Sequence, residues 1–230
     1  MDNVTAIIVE SNTLDLTRHC LNSLQAHYPA LPMILVDNAS NDGSREMVVD
    51  TVKQHRSTAI LNEKNVGHGP GMHQALMICE TSKALLLDSD CIVLSGYWLE
   101  MMLLENAYLV GKQVNIDYGG IIRKRGDPYI HPACALIDVT LYRTLPPFNH
   151  HGMPCMLNER DARKRGYRLA SFNVDSYVYH LWAGTRRRYA NRIDGWVRLE
   201  RPHPDQARTA HEMLSGNTAK IITPNKGWLP

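Results

Sequence analysis

The sequence predicts an α/β fold, a mixed and mostly parallel central sheet flanked by helices. Three observations predict it. Short, continuously apolar runs recur at residues 4–9, 33–36, 58–61 and 84–87. Segments with helical spacing of apolar residues follow the first three runs, at 14–28, 44–55 and 72–79. Polar clusters stand directly after the runs: Glu10-Ser11-Asn12, Asp37-Asn38 and Asp88-Ser89-Asp90. Strands that are apolar on both faces and alternate with helices belong to parallel sheets covered on both sides. Such sheets bind their ligands beyond the carboxyl ends of the strands, which is where the polar clusters fall.

The elements follow in order. Residues 4–9 read as a buried strand and 14–28 as a helix with Leu14, Leu21 and Leu24 on one face. Two more strand–helix pairs follow, and 84–87 is a fourth strand. The second half is less regular. Residues 97–106 and 157–165 read as helices, the latter stopped by Gly166. Residues 118–123, 133–137, 168–172 and 177–179 read as strands, and 185–199 as an amphipathic helix with Tyr189, Ile193 and Trp196 on one face. From Arg201 onward, prolines and polar residues predict a loosely held tail with one helix near 205–214. The division is therefore one domain over 1–200 and a C-terminal extension over 201–230.

Composition sets bounds. The chain has 230 residues, 44% hydrophobic and 21% charged, an ordinary globular balance for one such domain. A net charge of +2 is too small to imply nucleic-acid binding by itself. No apolar stretch approaches a membrane span, and no basic-plus-apolar leader begins the sequence. The five cysteines contain no Cys-x-x-Cys pair and sit mostly in apolar runs, which reads as reduced structural thiols of a cytoplasmic protein.

The chemistry concentrates at Asp88-Ser89-Asp90. In extended chain, residues i and i+2 point to one side, so both carboxylates can face one point past the strand end. Magnesium or manganese suits such a site, because hard cations take one or two carboxylates and complete their shell with water and substrate phosphates. The competing reading is a polar turn between strands.

The motif order resembles glycosyltransferase family 2, inverting nucleotide-sugar transferases of the GT-A (Rossmann-like) fold. Val9-Glu10-Ser11-Asn12 is similar to the family's first-strand donor segment. Val36-Asp37-Asn38-Ala39-Ser40-Asn41-Asp42-Gly43-Ser44 is the most specific match. Asn62-Glu63-Lys64-Asn65-Val66-Gly67-His68-Gly69 resembles the segment before the third helix. Asp88-Ser89-Asp90 resembles the metal motif, and Tyr177-Val178-Tyr179-His180 the strand that ends in a metal-binding histidine. The resemblance implies a donor half near 1–95 and an acceptor half near 96–200. It implies that Val9, Glu10, Asp37 and Asn38 meet the nucleotide base, that Asn65 and Gly67 approach the ribose or diphosphate, and that Asp88 and Ser89 lie beside them. Asp90 and His180 would ligate a manganese or magnesium ion, with Asp88 reaching the ribose or a metal-bound water.

An inverting transferase needs a group to take the acceptor's proton. The family's acidic pair would fall at Pro154 and Cys155, before Gly166-Tyr167. The nearest acids are Glu159 and Asp161, and Glu159 is preferred because it stands nearer the helix start. The pairs Glu159–Arg163 and Asp161–Arg165 also suit an exposed helix face. His131 and His151 are the acceptor-side candidates. Arg186 opens the way to a diphosphate clamp, or, with the other arginines of 186–201, to an anionic glycan or nucleic-acid acceptor or a solvated face. The expectation is metal-dependent, inverting transfer of a sugar from a UDP-, dTDP- or GDP-sugar to a hydroxyl. The alternatives are a transferase acting on nucleic acid and an inert nucleotide-sugar binding module.

Overall fold

The structure is a computed structural model and describes residues 3–116, 122, 124–149, 153–181 and 218–223. Its elements are β1 (Val4–Glu10), α1 (Leu14–His27), β2 (Met33–Asn38), α2 (Ser44–Gln54), β3 (Ser57–Asn62), α3 (His68–Ile78), β4 (Lys83–Leu87), β5 (Cys91–Val93) and α4 (Trp98–Leu104). There follow β6 (Leu109–Ile116), β7 (Asp127–Asp138), α5 (Val139–Tyr142), α6 (Met156–Lys164), β8 (Leu169–Ser171), a 3-10 turn over Val174–Ser176, β9 (Val178–His180) and β10 (Ala219–Ile222).

Eight strands form one sheet in the order β10-β3-β2-β1-β4-β7-β6-β8. Strands β1 to β4 are mutually parallel, β7 runs antiparallel to β4, and β6 antiparallel to β7. The predicted mixed, mostly parallel sheet is therefore present. Its strand order reverses between β1 and β4, the kind of switch point that opens a crevice at the carboxyl ends of the strands. Strands β5 and β9 form a separate two-stranded ribbon over that end.

Alternation along the buried strands feeds two cores. In β1, Val4, Ala6 and Ile8 join a cluster with Leu21, Leu24 and Trp98, while Ile7 and Val9 join one with Met72, Leu76 and Tyr142. Among the described residues, no helix is long and apolar enough to cross a membrane.

The first half matches the sequence reading closely; the second differs in identifiable places. Helix α3 begins at His68 rather than Met72, because Pro70 in its first turn gives up an N–H that would have no helical partner. Strand β6 lies at 109–116, ahead of the expected 118–123, most of which falls outside the described residues. Strand β7 starts six residues before the expected 133. Residues 219–222, expected in a loose tail, pair antiparallel with the edge of β3. The expected helices at 185–199 and 205–214 lie outside the described residues.

One irregularity shapes the crevice. Gly111 of β6 faces Ala135 of β7, but Gln113 faces Ile130, so β7 advances five residues while β6 advances two. The bulge carries His131, Pro132, Ala133 and Cys134 toward the end of β4, where Asp88 donates its N–H to Ala133 O at 2.8 Å. A Cβ on Gly111 would stand 2.9 Å from Ile130 Cγ2 and 3.1 Å from Cys134 O, so only glycine admits this approach.

Candidate active site

Three loops at the carboxyl ends of β1, β2 and β3 are tied together by short polar side chains. Ser11 Oγ donates to Asn38 O, Asn65 Nδ2 to Ser11 Oγ, and Asn38 Nδ2 to Gly67 O. Asn12 and Ala39 hold positive φ, at 53° and 58°. Asp42 accepts Leu14 N–H with one oxygen and Ser44 N–H with the other, so one side chain caps the starts of α1 and α2. The segment Asp37 to Ser44 is thus a folding device as well as a candidate binding surface.

Register places Glu10 opposite Asp37, and both are buried. Burial, followed by the adjacent Asp37 carboxylate, pushes Glu10 well above the usual carboxylate range, although Ser40 and Ser44 oppose this. Burial beside a second carboxylate disfavours the charged form of Glu10, so Glu10 favours its protonated form. Arg45 Nε meets Asp37 at 2.7 Å. Val9 is buried, with its side chain packed beneath Gly71.

The centre of the crevice is acidic and imidazole-rich. His180 Nε2 lies 3.2 Å from Asp90 Oδ1 and 3.8 Å from Asp88 Oδ2, while His68 Nε2 lies 3.2 Å from Asp88 Oδ1. The His131 ring sits 5.7 Å from that of His180. Burial works against charge on His68 and His180, but Asp88 and Asp90 outweigh it and raise both. Burial likewise opposes charge on Asp88, yet His68, His180 and His131 hold its carboxyl far below the ordinary range. His131 is pushed down to about 4, chiefly by burial. Its Nδ1 accepts Ala133 N–H at 3.2 Å, so the neutral ring carries its hydrogen on Nε2. Ser89 is buried with its hydroxyl 3.4 Å from that of Thr13. Two carboxylates and an imidazole nitrogen converging on one point fit a divalent ion.

A family model, "Glycosyl transferase family 2", matches residues 5–193. The chain belongs to that family. No match was found among curated proteins. The fold of this family 2 member is similar to a mannosyltransferase of Pyrobaculum calidifontis, solved with GDP-Man and Mn2+, at 20% identity and a TM-score of 0.60. That alignment covers 74% of this chain and 54% of the mannosyltransferase. It is also similar to S. aureus TarS residues 1–349 in complex with UDP-GlcNAc, at 16% identity and a TM-score of 0.59, covering 77% of this chain and 58% of that one. The chain therefore spans little more than half of each of these structures. At such identities the likeness establishes the GT-A fold.

The predicted donor and metal residues Glu10, Asp37, Asn38, Asn65, Gly67, Asp88, Ser89, Asp90 and His180 all lie along this one edge of the sheet or on the ribbon above it. His131 joins them through the bulge. Glu159 and Asp161 sit on α6, and no described hydrogen bond or ion pair joins either to Asp88, Asp90 or His180. Both Glu159 oxygens accept Ile130 N–H, at 3.1 and 3.0 Å, with Arg163 at 3.4 Å. Burial raises Glu159 to about 8 against those partners. Asp161 pairs with Arg165 at 2.8 Å. His151 and Arg186 lie outside the described residues.

Sequence reasoning singled out neither Arg45 nor Cys91. Arg45 was readable as a cation at the second position of the helix that follows the Asp37 segment. Cys91 looked like one more apolar-run thiol, although it follows Asp90 directly. Among the described residues, Asp90, Cys91 and His180 form a group with all ligand atoms within 4.8 Å of one another.

Proposed function

We propose that this protein transfers a sugar from a nucleoside diphosphate sugar to an acceptor hydroxyl, with inversion, using a manganese or magnesium ion held by Asp90 and His180. The observation that carries the reading is the approach of His180 Nε2 to both Asp90 and Asp88 at the switch point of the sheet. A divalent ion bound there would offset charge on the departing diphosphate.

The chain's own residues supply the rest. Glu10 and Asp37 stand side by side at the ends of β1 and β2, where the edge of a base would lie. The loop fixed by Asn38, Asn65 and Gly67 gives a preorganised backbone beside the ribose or diphosphate. Asp88, kept ionised and oriented by His68, would reach the ribose or help to hold the ion. His131, carried by the bulge to the side of the centre, would line the place of the acceptor. Glu159 anchors the start of the bulge that carries His131, because its carboxyl satisfies the buried Ile130 N–H.

The test is a panel of UDP-, dTDP- and GDP-sugars with manganese, read by slow donor hydrolysis and thermal stabilisation. One nucleotide class should stabilise the protein only when manganese is present. Absence of both stabilisation and hydrolysis across the panel would overturn the reading.

A further inference from the structure

Cys91 stands directly opposite His180 in the β5–β9 ribbon, so their side chains leave neighbouring backbone positions. Cross-strand partners of this kind have Cβ atoms roughly 5 Å apart. The Cys91 sulfur, an Asp90 carboxylate oxygen and a His180 ring nitrogen already lie within 4.8 Å of one another. The ribbon is fixed at this point by Leu181 N–H donating to Asp90 O at 3.1 Å. The thiol itself is fully buried and donates to Ala133 O at 3.2 Å, on the bulge beside His131. A small cleft of about 10 Å³ is bordered by Cys91, His131, Cys134 and His180.

From this we infer that the centre takes a thiophilic divalent cation, of the zinc, cadmium or cobalt class, with the Cys91 thiolate as a third protein ligand beside Asp90 and His180. The inference deepens the metal reading above and rests on it. A hard ion such as manganese needs only the oxygen and imidazole ligands, because sulfur contributes little to it. A borderline or soft ion gains from thiolate, and Asp-Cys-His is a tetrahedral three-ligand set with one position left for water or a phosphate oxygen. On binding, the Cys91 S–H bond breaks, a sulfur–metal bond forms and the proton leaves to solvent. No electron transfer is involved. The consequence is metal competition: zinc and cadmium bind the same centre as manganese, but more tightly and through one additional ligand.

The experiment uses the whole chain with Co2+, Cd2+ and Mn2+ as probes. Wild-type protein with Co2+ should show the near-ultraviolet thiolate-to-cobalt absorption, and Cys91→Ser should lose it. Cd2+ affinity measured by calorimetry should fall by about 10- to 100-fold in Cys91→Ser, while Mn2+ affinity shifts by less than about threefold. Serine keeps the hydrogen bond to Ala133 O, and Cys91→Ala serves if the serine variant folds poorly. If wild type binds Mn2+ yet shows no thiolate band, or if Cys91→Ser leaves Cd2+ affinity unchanged, Cys91 is not a ligand and the manganese reading stands without it. If wild type binds none of the three ions, both readings fall.

Discussion

His180 Nε2 stands 3.2 Å from Asp90 Oδ1; His180 ends β9, and Asp90 lies in the turn just before β5. Eighty-nine residues of sequence lie between them, so nothing local brings them together. The β5–β9 pairing does so by setting Cys91 against His180 and leaving Asp90 one position before the strand.

Replacement of either partner should therefore act on ion binding before it acts on folding. Asp90→Asn preserves shape and removes the charge. Its manganese-dependent kcat/KM is expected to fall at least about 100-fold, because an ion that offsets leaving-group charge loses a direct ligand. Thermal stabilisation by Mn2+ should vanish as well. Loss of activity with Mn2+ stabilisation intact would separate Asp90 from the ion.

Gly71 lets α3 lie close against the ends of β1 and β2. A Cβ there would stand 2.9 Å from Val9 Cγ1 and 3.4 Å from Asn38 Nδ2. Val9 is held by the core, so α3 has to shift instead. Gly71→Ala should cost about 1–3 kcal/mol of stability in a denaturant titration. It should also weaken nucleotide binding, because Asn38 Nδ2 holds Gly67 O.

Legibility in the sequence followed the reach of the interactions. The first four strands and three helices were readable because their burial is continuous and their connections are local. Asp88, Asp90 and His180 were readable as a group only through motif order, since composition says nothing about a contact between residues so far apart. Strand β10 was not readable: it is four residues long, half exposed, and its partner β3 lies far earlier in the chain. The β7 bulge was equally hidden, because a register jump depends on the partner strand and on Gly111 rather than on residues 131–134. The acids on α6 show the same limit. Their i,i+4 pairs with Arg163 and Arg165 were legible and are present, but the contact of Glu159 with Ile130 was not.

Asp42 caps two helices at once, so its removal should exceed the effect of losing one cap. Asp42→Ala is expected to destabilise the protein by about 2–3 kcal/mol, against roughly 1 kcal/mol for a single cap. Asp42→Asn should fall between, because an amide oxygen can still accept Ser44 N–H while its nitrogen cannot accept Leu14 N–H. Calorimetric midpoints of the three proteins would check the order. Equal midpoints for wild type and Asp42→Ala would contradict the double cap.

Glu159 makes the sharpest pH prediction. Burial raises its folded value to about 8, above the ordinary 4.5 that it recovers on unfolding. Between those values the folded protein keeps a proton that the unfolded chain has released. Stability therefore falls as pH rises through that window, and levels off above about 8. The full difference corresponds to roughly 5 kcal/mol as an upper bound, at about 1.4 kcal/mol per unit. Glu159→Gln keeps an oxygen for Ile130 N–H and cannot ionise. Glu10 shifts in the same direction and Asp88 in the opposite one, so the quantity to measure is the difference between wild type and variant. Urea titrations at pH 5 and pH 8 should show Glu159→Gln gaining on wild type by several kcal/mol at the higher pH. Activity of the variant should stay within about tenfold of wild type if Glu159 only anchors the bulge. A loss of 100- to 10,000-fold, the range set by removing a general base, would instead make Glu159 the group that takes the acceptor's proton.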